Sequence, residues 1–233
     1  MGEECVLILS GGVDSTTLLH YLKHQEKEVH ALSFDYRQRH RKELEFAKYW
    51  GKRLCKTHLV VSINFPFFSS ALTSQHQDIP EGHYTEETQK VTVVPARNLI
   101  FLSFAIARAE DLGLCEVYYA AHYNDRAVYP DCREEFVDAL SKVSEISTYH
   151  GVEVYAPFVR MTKAEIVKLG LELGVDYSKT WSCYVGGERP CLKCGTCIER
   201  TEAFLTNNTK DPLLTDDEWK VAVKICKEYG EDG

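Results

Sequence analysis

The chain predicts a doubly wound α/β fold, a five-stranded parallel sheet with helices on both faces, and three observations carry that prediction. Short apolar runs suited to strands buried on both faces alternate with longer segments at helical spacing. The first apolar run breaks at a pair of glycines before its helix begins, the turn that opens a strand–turn–helix unit of a parallel sheet. At 233 residues the chain suits one such domain with a small appendage and is too short for two large ones. The alternation predicts the strand order 3-2-1-4-5, with ligands held at the carboxyl ends of the strands near the switch point.

The elements follow in order. Cys5 to Leu9 reads as the first strand, and Leu18, Leu19 and Leu22 repeat at the spacing of the helix after it. Glu28 to Phe34 is the second strand, ending at Asp35. Glu43 to Leu54 is a helix whose Leu44, Phe46, Ala47 and Trp50 are spaced for packing, and Thr57 to Val61 is the third strand. The alternation then stops: Ser62 to Thr92, about thirty residues with little periodicity, is long for a connection and is expected to be a partly mobile lid. Its His76 and His83 are expected to face solvent. Asn98 to Leu112 is a strongly apolar helix and Glu116 to Ala121 the fourth strand. Glu135 to Tyr149 is a further helix and Val152 to Tyr155 the fifth strand. This order brings Ser10 to Ser15, Ser33 to Asp35 and His122 to Asp125 around one crevice. We expect a body over residues 1–160 and a C-terminal helical region over 161–233.

Composition narrows the class. No stretch of ~18 apolar residues and no signal-peptide pattern is present, so a soluble, unprocessed, cytoplasmic protein without a membrane partner is expected. Nine cysteines, an odd number, point away from a disulfide scaffold and toward a reducing compartment with metal-bound thiols. A net charge of −8 disfavours broad nucleic-acid binding, and no direct nucleic-acid partner is expected.

Ser10-Gly11-Gly12-Val13-Asp14-Ser15 is the most informative segment. Its glycines let the backbone turn tightly, and the first amides of the following helix have no partners within it, so the turn suits an anion such as a di- or triphosphate. It lacks the Lys-Ser or Lys-Thr of a Walker loop and the third glycine of a dinucleotide fingerprint. An ordinary turn with Asp14 or Ser15 as a helix cap is the plain alternative. The six residues SGGVDS instead resemble the signature of PP-loop ATP pyrophosphatases, which cut ATP to AMP and pyrophosphate to adenylate a substrate. We therefore expect the nucleotide site to span Leu9, Ser10, Gly11, Gly12, Val13, Asp14, Ser15, Thr16, Thr17, Leu18 and Leu19, with Phe34 at the adenine end.

A second strong signal is Cys183, Cys191, Cys194 and Cys197, two overlapping C-x-x-C steps with one cysteine eight residues earlier. Four thiolates from one small loop suit a closed, structural, tetrahedral zinc site. An iron–sulfur cluster is the runner-up, disfavoured because adenylation needs no electron transfer. Gly186, Gly187, Pro190 and Gly195 make the segment a loop, which weakens the reading as unmetallated core thiols. Cys5, Cys55, Cys115 and Cys226 sit in apolar patterns and read as buried thiols.

Together with SGGVDS, the segments Phe34 to His40, Val94 to Asn98, Tyr129 to Arg133, Thr162 to Val167 and Trp181 to Cys197 resemble the QueC family, in order and over most of the chain. The resemblance implies a PP-loop, adenine nucleotide alpha hydrolase-like fold. It implies that 7-carboxy-7-deazaguanine is amidated with ammonia and then dehydrated to 7-cyano-7-deazaguanine, with ATP and Mg²⁺ activating each step. It also implies one structural Zn²⁺ per chain and a homodimer.

Within that reading, Lys163, Arg97, Asp131 and Asp14 are the candidate catalytic residues. Thr162-x-x-Glu165 is a capping box that places Lys163 at the start of a helix, where its charge and the helix dipole point at the same anion. Arg97 precedes an apolar helix and could clamp a phosphate or carboxylate. Asp131 could accept hydrogen bonds from the base, Asp14 could contact Mg²⁺ directly or through water, and Arg39 and Arg41 are weaker candidates or surface charges. The sequence departs from the family pattern where Arg37, Ala96 and Leu192 replace glycine, and at Arg126-Ala127-Val128 in the expected substrate loop. Those changes leave open a divergent enzyme that stops at 7-amido-7-deazaguanine or ligates the base to another amine. A PP-loop tRNA thiolase and a non-catalytic ATP-binding protein stand as further alternatives.

Overall fold

The computed structural model describes residues 3–64, 70–73, 78–83, 90–127 and 129–230. Five parallel strands form one sheet in the order β3-β2-β1-β4-β5, the order the sequence predicts. They are β1 (Glu4–Ile8), β2 (Glu28–Asp35), β3 (Thr57–Ser62), β4 (Glu116–Tyr118) and β5 (Glu153–Tyr155). The central β1 pairs with β2 in the register Leu7↔Ala31 and with β4 in the register Leu7↔Tyr118.

Alternation along β1 divides the core between two faces. Val6 packs with Leu32, Phe34, Phe101, Leu102, Ala105 and Val117. Cys5, Leu7 and Leu9 pack on the other face with Leu18, Leu19, Leu22, Val29, Trp50 and Ile166. The first face is covered by helices α3 (Arg97–Leu112) and α4 (Glu134–Ser147). The second is covered by α1 (Val13–His24), α2 (Glu43–Leu54) and α5 (Lys163–Glu172). Two further helices, α6 (Gly195–Thr206) and α7 (Asp216–Gly230), complete the C-terminal region. Tyr177, Phe204 and Trp219 pack there with Val13 and Val167, so this region is built directly on the helix that follows the Gly-Gly turn.

Element boundaries differ from the sequence reading mainly at β4, which ends at Tyr118 and not Ala121. Beyond it the chain leaves the sheet toward two short 3₁₀ turns, Tyr123–Ala127 and Pro130–Cys132, that form one wall of the crevice. The described parts of the segment after β3 are anchored rather than lid-like. Ala71 and Leu72 are fully buried, and Glu81 and Gly82 bond to Lys193 and Cys194 of the cysteine loop. His83 is half-exposed and ion-paired with Glu202 at 3.1 Å, while His76 lies outside the described residues. No helix among the described residues is long and apolar enough to cross a membrane.

The positions held by Arg37, Ala96 and Leu192, where the family pattern has glycine, share one backbone property. Their φ angles are +64°, +53° and +67°, all in the left-handed region. Side chains there cost about 1–2 kcal/mol each relative to glycine. The departures are thus local strain in three turns.

Candidate active site and metal centre

The phosphate loop is shaped by its own residues. Gly11 has φ +85°, and a Cβ there would lie 2.2 Å from the Glu43 carbonyl oxygen and 2.6 Å from the Ala47 nitrogen. Glycine is required for handedness and for contact with α2 alike. The Ser10 amide donates to Ser15 Oγ at 3.1 Å, the two hydroxyls lie 2.9 Å apart, and the Gly12 amide donates to Ser10 Oγ at 3.2 Å. The Trp181 amide donates to the Gly11 carbonyl at 3.0 Å, tying the loop to the C-terminal region.

Around this loop lies a crevice of two adjoining lobes. One, of about 190 Å³, is lined by Leu9, Ser10, Asp14, Ser15, Phe34, Tyr36, Arg97, Phe101, Tyr119 and Tyr184 among others. The other, of about 120 Å³, takes in Ser10, Gly12, Val13, Asp14, His122, Lys163 and Glu199. The residues expected around the nucleotide therefore divide. Leu9, Ser10, Gly12, Val13, Asp14, Ser15 and Phe34 reach the crevice walls. Thr16, Thr17, Leu18 and Leu19 are buried under the loop, Gly11 is buried against α2, and none of the five lines either lobe. Thr17 Oγ1 donates to the Val13 carbonyl at 2.8 Å, which makes it a brace for the helix start. Of Ser33 to Asp35 only Phe34 lines the crevice: Ser33 donates to the Leu9 carbonyl, and Asp35 pairs with Arg41.

Lys163 sits as its capping box predicts. Thr162 caps α5, with the Thr162 amide donating to Glu165 at 2.7 Å and the Glu165 amide returning to Thr162 Oγ1 at 3.3 Å. The ammonium reaches across to Asp14 Oδ2 at 2.6 Å and lies 3.6 Å from Glu199. Burial works against its charge, yet Asp14, Glu199 and Asp125 raise the Lys163 pKa above the ordinary lysine value. Burial likewise opposes ionisation of Asp14, but Lys163 and His122 hold its carboxyl below the usual range. Asp14 Oδ1 is buried with no hydrogen-bond partner among the described residues. That leaves one carboxylate oxygen for an incoming cation, which fits Mg²⁺ carried by a nucleotide.

At the far end of the larger lobe, Arg97 is half-buried and donates to the Tyr36 hydroxyl at 3.3 Å. No carboxylate among the described residues lies within ion-pair distance of it. A guanidinium held in a crevice with no carboxylate at ion-pair distance among the described residues is prepared for an anionic ligand. Phe34 and Phe101 stack with centroids 4.1 Å apart and planes 3° from parallel, giving the lobe an aromatic wall.

Asp131 is placed differently from the expectation of direct base contact. Its carboxylate accepts from the Asn98 amide at 2.9 Å and from Asn98 Nδ2 at 3.3 Å, so it satisfies an orphan donor at the start of α3. It does not line the crevice, whereas Asn98, Asp125 and Cys132 do. Arg126 and Ala127 face a separate outer depression with Arg133 and Arg160, and Val128 lies outside the described residues. The sequence reading also missed Glu43, His40, Tyr119 and Tyr184. The signal for His40 was the segment Phe34 to His40, which marked the family without indicating which side chains turn inward, while Glu43 was read only as the start of a helix.

The cysteine centre is self-contained. The sulfurs of Cys183, Cys191, Cys194 and Cys197 all lie within 4.8 Å of one another. Cys194 and Cys197 are 3.5 Å apart and Cys191 and Cys197 3.9 Å. A tetrahedral ion with metal–sulfur bonds of about 2.3 Å separates its sulfurs by about 3.8 Å, so these thiols are arranged to bind a metal. The Cys194 amide points at Cys191 Sγ at 3.3 Å, and the Cys191 amide at Cys183 Sγ at 3.4 Å, donors that stabilise thiolates.

With this geometry in place, comparison with known proteins gives a consistent family. The model of "Queuosine biosynthesis protein QueC" matches residues 4–208. A 7-cyano-7-deazaguanine synthase of Archaeoglobus fulgidus is 53% identical over 228 residues, covering 97% of this chain and 95% of the relative. The 7-cyano-7-deazaguanine synthase 1 of Colwellia psychrerythraea is 50% identical over 216 residues, covering 91% of this chain and 99% of the relative. Among solved structures, an NMN synthetase from Francisella tularensis is similar in fold, with a TM-score of 0.53 at 14% identity, covering 99% of this chain and 86% of that one. A phosphate loop with its lysine, an adjoining lobe with an arginine facing it, a four-thiol centre and a match across nearly the whole length lead to one conclusion: the chain belongs to the QueC family.

Proposed function

We propose that this chain is a 7-cyano-7-deazaguanine synthase, an ATP-dependent ligase of queuosine biosynthesis. One observation carries the reading: the phosphate loop with Lys163, and Arg97 with no carboxylate partner among the described residues, open into adjoining lobes of one crevice. The loop is where ATP phosphates belong, and the arginine is where the anionic end of a second substrate or the α-phosphate belongs.

The chemistry needs this proximity. A carboxylate does not react with ammonia, because the anion repels nucleophiles and its oxygen leaves poorly. Transfer of AMP to that oxygen makes it a good leaving group, and holding the α-phosphate beside the carboxylate turns a bimolecular step into an effectively unimolecular one. Backbone amides from Gly11 to Ser15 would hold the departing pyrophosphate, with Lys163 exchanging Asp14 for phosphate oxygens as charge builds. Mg²⁺ would accompany the phosphates, with Asp14 Oδ1 available to it. Ammonia then displaces AMP to give the amide. A second ATP activates the amide oxygen, and its loss gives the nitrile. Zn²⁺ in the four-cysteine centre would hold the cysteine loop against the phosphate loop, with no part in these steps. Because Arg126 and Ala127 face away from the crevice, they give no reason for the reaction to stop at the amide. A homodimer belongs to the same proposal; the exposed Val143, Ile146 and Tyr149 offer an apolar face for it.

The test is release of pyrophosphate and AMP from ATP in the presence of 7-carboxy-7-deazaguanine, with zinc measured on the same sample. Release that depends on the base, from protein holding one zinc per chain, is expected. ATP binding with no base-dependent release would overturn the reading.

A further inference from the structure

The two lobes meet at a junction lined by Ser10, Asp14, Glu43, Asp125 and Tyr184, which belong to both. Adenylation and amine transfer must happen where the phosphate end and the base end meet. The carboxylates at this junction have different surroundings. Asp14 is bonded to Lys163 at 2.6 Å, and Asp125 lies 3.3 Å from His122 Nε2. Glu43 has no lysine or arginine within ion-pair distance among the described residues. Its Oε1 accepts from Gln38 Nε2 at 2.9 Å and lies 3.5 Å from His40 Nε2. Burial, reinforced by the nearby Arg97 charge, pushes the His40 imidazole down to about 3, so it is neutral and supplies no counter-charge.

The position of Glu43 is fixed. It is the first residue of α2, and its carbonyl oxygen is the atom against which the Gly11 turn packs. The base is thus set beside the phosphate loop by backbone contact.

Resting on the synthase reading above, we propose that Glu43 is the general base of amine transfer in this enzyme. In the first cycle the ammonia lone pair forms the C–N bond at the adenylated carbonyl, the C–O bond to AMP breaks, and the Glu43 carboxylate takes one N–H proton. The products are the amide, AMP and a protonated Glu43, which returns its proton to water. In the second cycle the adenylated amide must lose both remaining N–H protons as AMP leaves. The Glu43 carboxylate takes the first, returns it to water and takes the second. The nitrogen lone pair makes the second C–N bond when the amide oxygen is adenylated, and the electron pair of the last N–H bond makes the third as the C–O bond to AMP breaks. No oxidant or reductant is involved.

Titration supports this assignment. Burial pushes the Glu43 carboxyl up to about 7, against the Gln38 hydrogen bond and the Arg97 charge, which pull it down. A base with that affinity is poised to exchange protons near neutrality. Arg97 and Tyr36 face it from the larger lobe, with His40 on its own side. Asp14, Asp125 and Lys163 face the junction from the smaller lobe. At constant free ammonia, amine transfer should fall as pH drops below about 7, because the protonated carboxyl cannot accept a proton.

Glu43→Gln and Glu43→Asp test this in the full-length, zinc-loaded protein, with pyrophosphate release and amide formation timed separately in a rapid-quench assay. The side-chain amide introduced by Glu43→Gln still offers an oxygen to the Gln38 donor, so the fold should persist. The expected result for Glu43→Gln, at constant free ammonia, is pyrophosphate release within about threefold of wild type, with amide formation slowed about a hundred- to ten-thousand-fold and its acid limb lost. Glu43→Asp should recover part of the rate and shift the limb. Parallel loss of both half-reactions, or amide formation at the wild-type rate, would overturn the proposal. Wild-type protein that releases no pyrophosphate with the carboxylate substrate would overturn it together with the synthase reading.

Discussion

The phosphate loop and the cysteine loop are both glycine-rich turns that lead into a helix, and both stand out in the sequence, yet they are completed in opposite ways. The cysteine loop supplies its whole ligand set from fifteen consecutive residues, Cys183 to Cys197. The phosphate loop supplies backbone, hydroxyls and the single carboxylate of Asp14. Its cation comes from Lys163, its carboxylate neighbours from Glu43 and Asp125, and its far wall from Arg97. A metal centre can be local because its ligands need only reach one another, whereas a two-substrate crevice must collect groups from several strand ends. The left-handed positions show the same contrast. At Gly11 both handedness and space demand glycine, but at Leu192, with φ +67°, only handedness does, and the turn accepts a side chain at a cost.

Changes that break this comparison should rank accordingly. The largest effect is expected from Cys194→Ser, which removes one sulfur from a closed set and should release the metal. Because the Trp181 amide ties this region to Gly11, ATP binding should weaken as well, checked by metal content and calorimetric titration with ATP. Gly11→Ala comes next. The added Cβ meets backbone and not a movable side chain, so a loss of about 3 kcal/mol or more in stability, with loss of ATP binding, is expected from denaturant unfolding and titration. Lys163→Met should leave the fold intact and slow pyrophosphate release about a hundred- to a thousandfold, read in a single-turnover assay.

Smaller effects sharpen the comparison. Asp131→Ala leaves the Asn98 amide without its partner and should cost about 1 kcal/mol in unfolding, with kcat changed less than by Lys163→Met. Leu192→Gly should change stability by less than about 1 kcal/mol, since relief of the left-handed strain is offset by lost packing of a half-buried side chain and by the added freedom of the unfolded chain. The contrast is one of size: removing this side chain hardly touches the cysteine loop, while adding one destroys the phosphate loop.

Much of this molecule was legible in the sequence because its strands are buried on both faces and its helices are well separated. Continuous apolar runs such as Cys5 to Leu9 left little choice of strand, and the connection rules left little choice of order. The capping box placed Lys163 correctly, because a cap is a local signal. What escaped depended on which way side chains turn after β2 and β4. Asp131 carries the same carboxylate as Asp125, but a proline-led 3₁₀ turn aims it at the start of α3, and nothing in the residue order separates those fates. Thr16 and Thr17 looked like phosphate ligands because they follow the loop. One helical turn carries them underneath it, into the core.

The most direct measurement is mass spectrometry of the base after incubation with 7-carboxy-7-deazaguanine, ATP, Mg²⁺ and ammonium, with AMP counted in the same sample. The expected end product is 7-cyano-7-deazaguanine, with two AMP formed per nitrile. Accumulation of the amide with one AMP, or an unchanged base in protein that binds ATP, would contradict the proposed synthase activity.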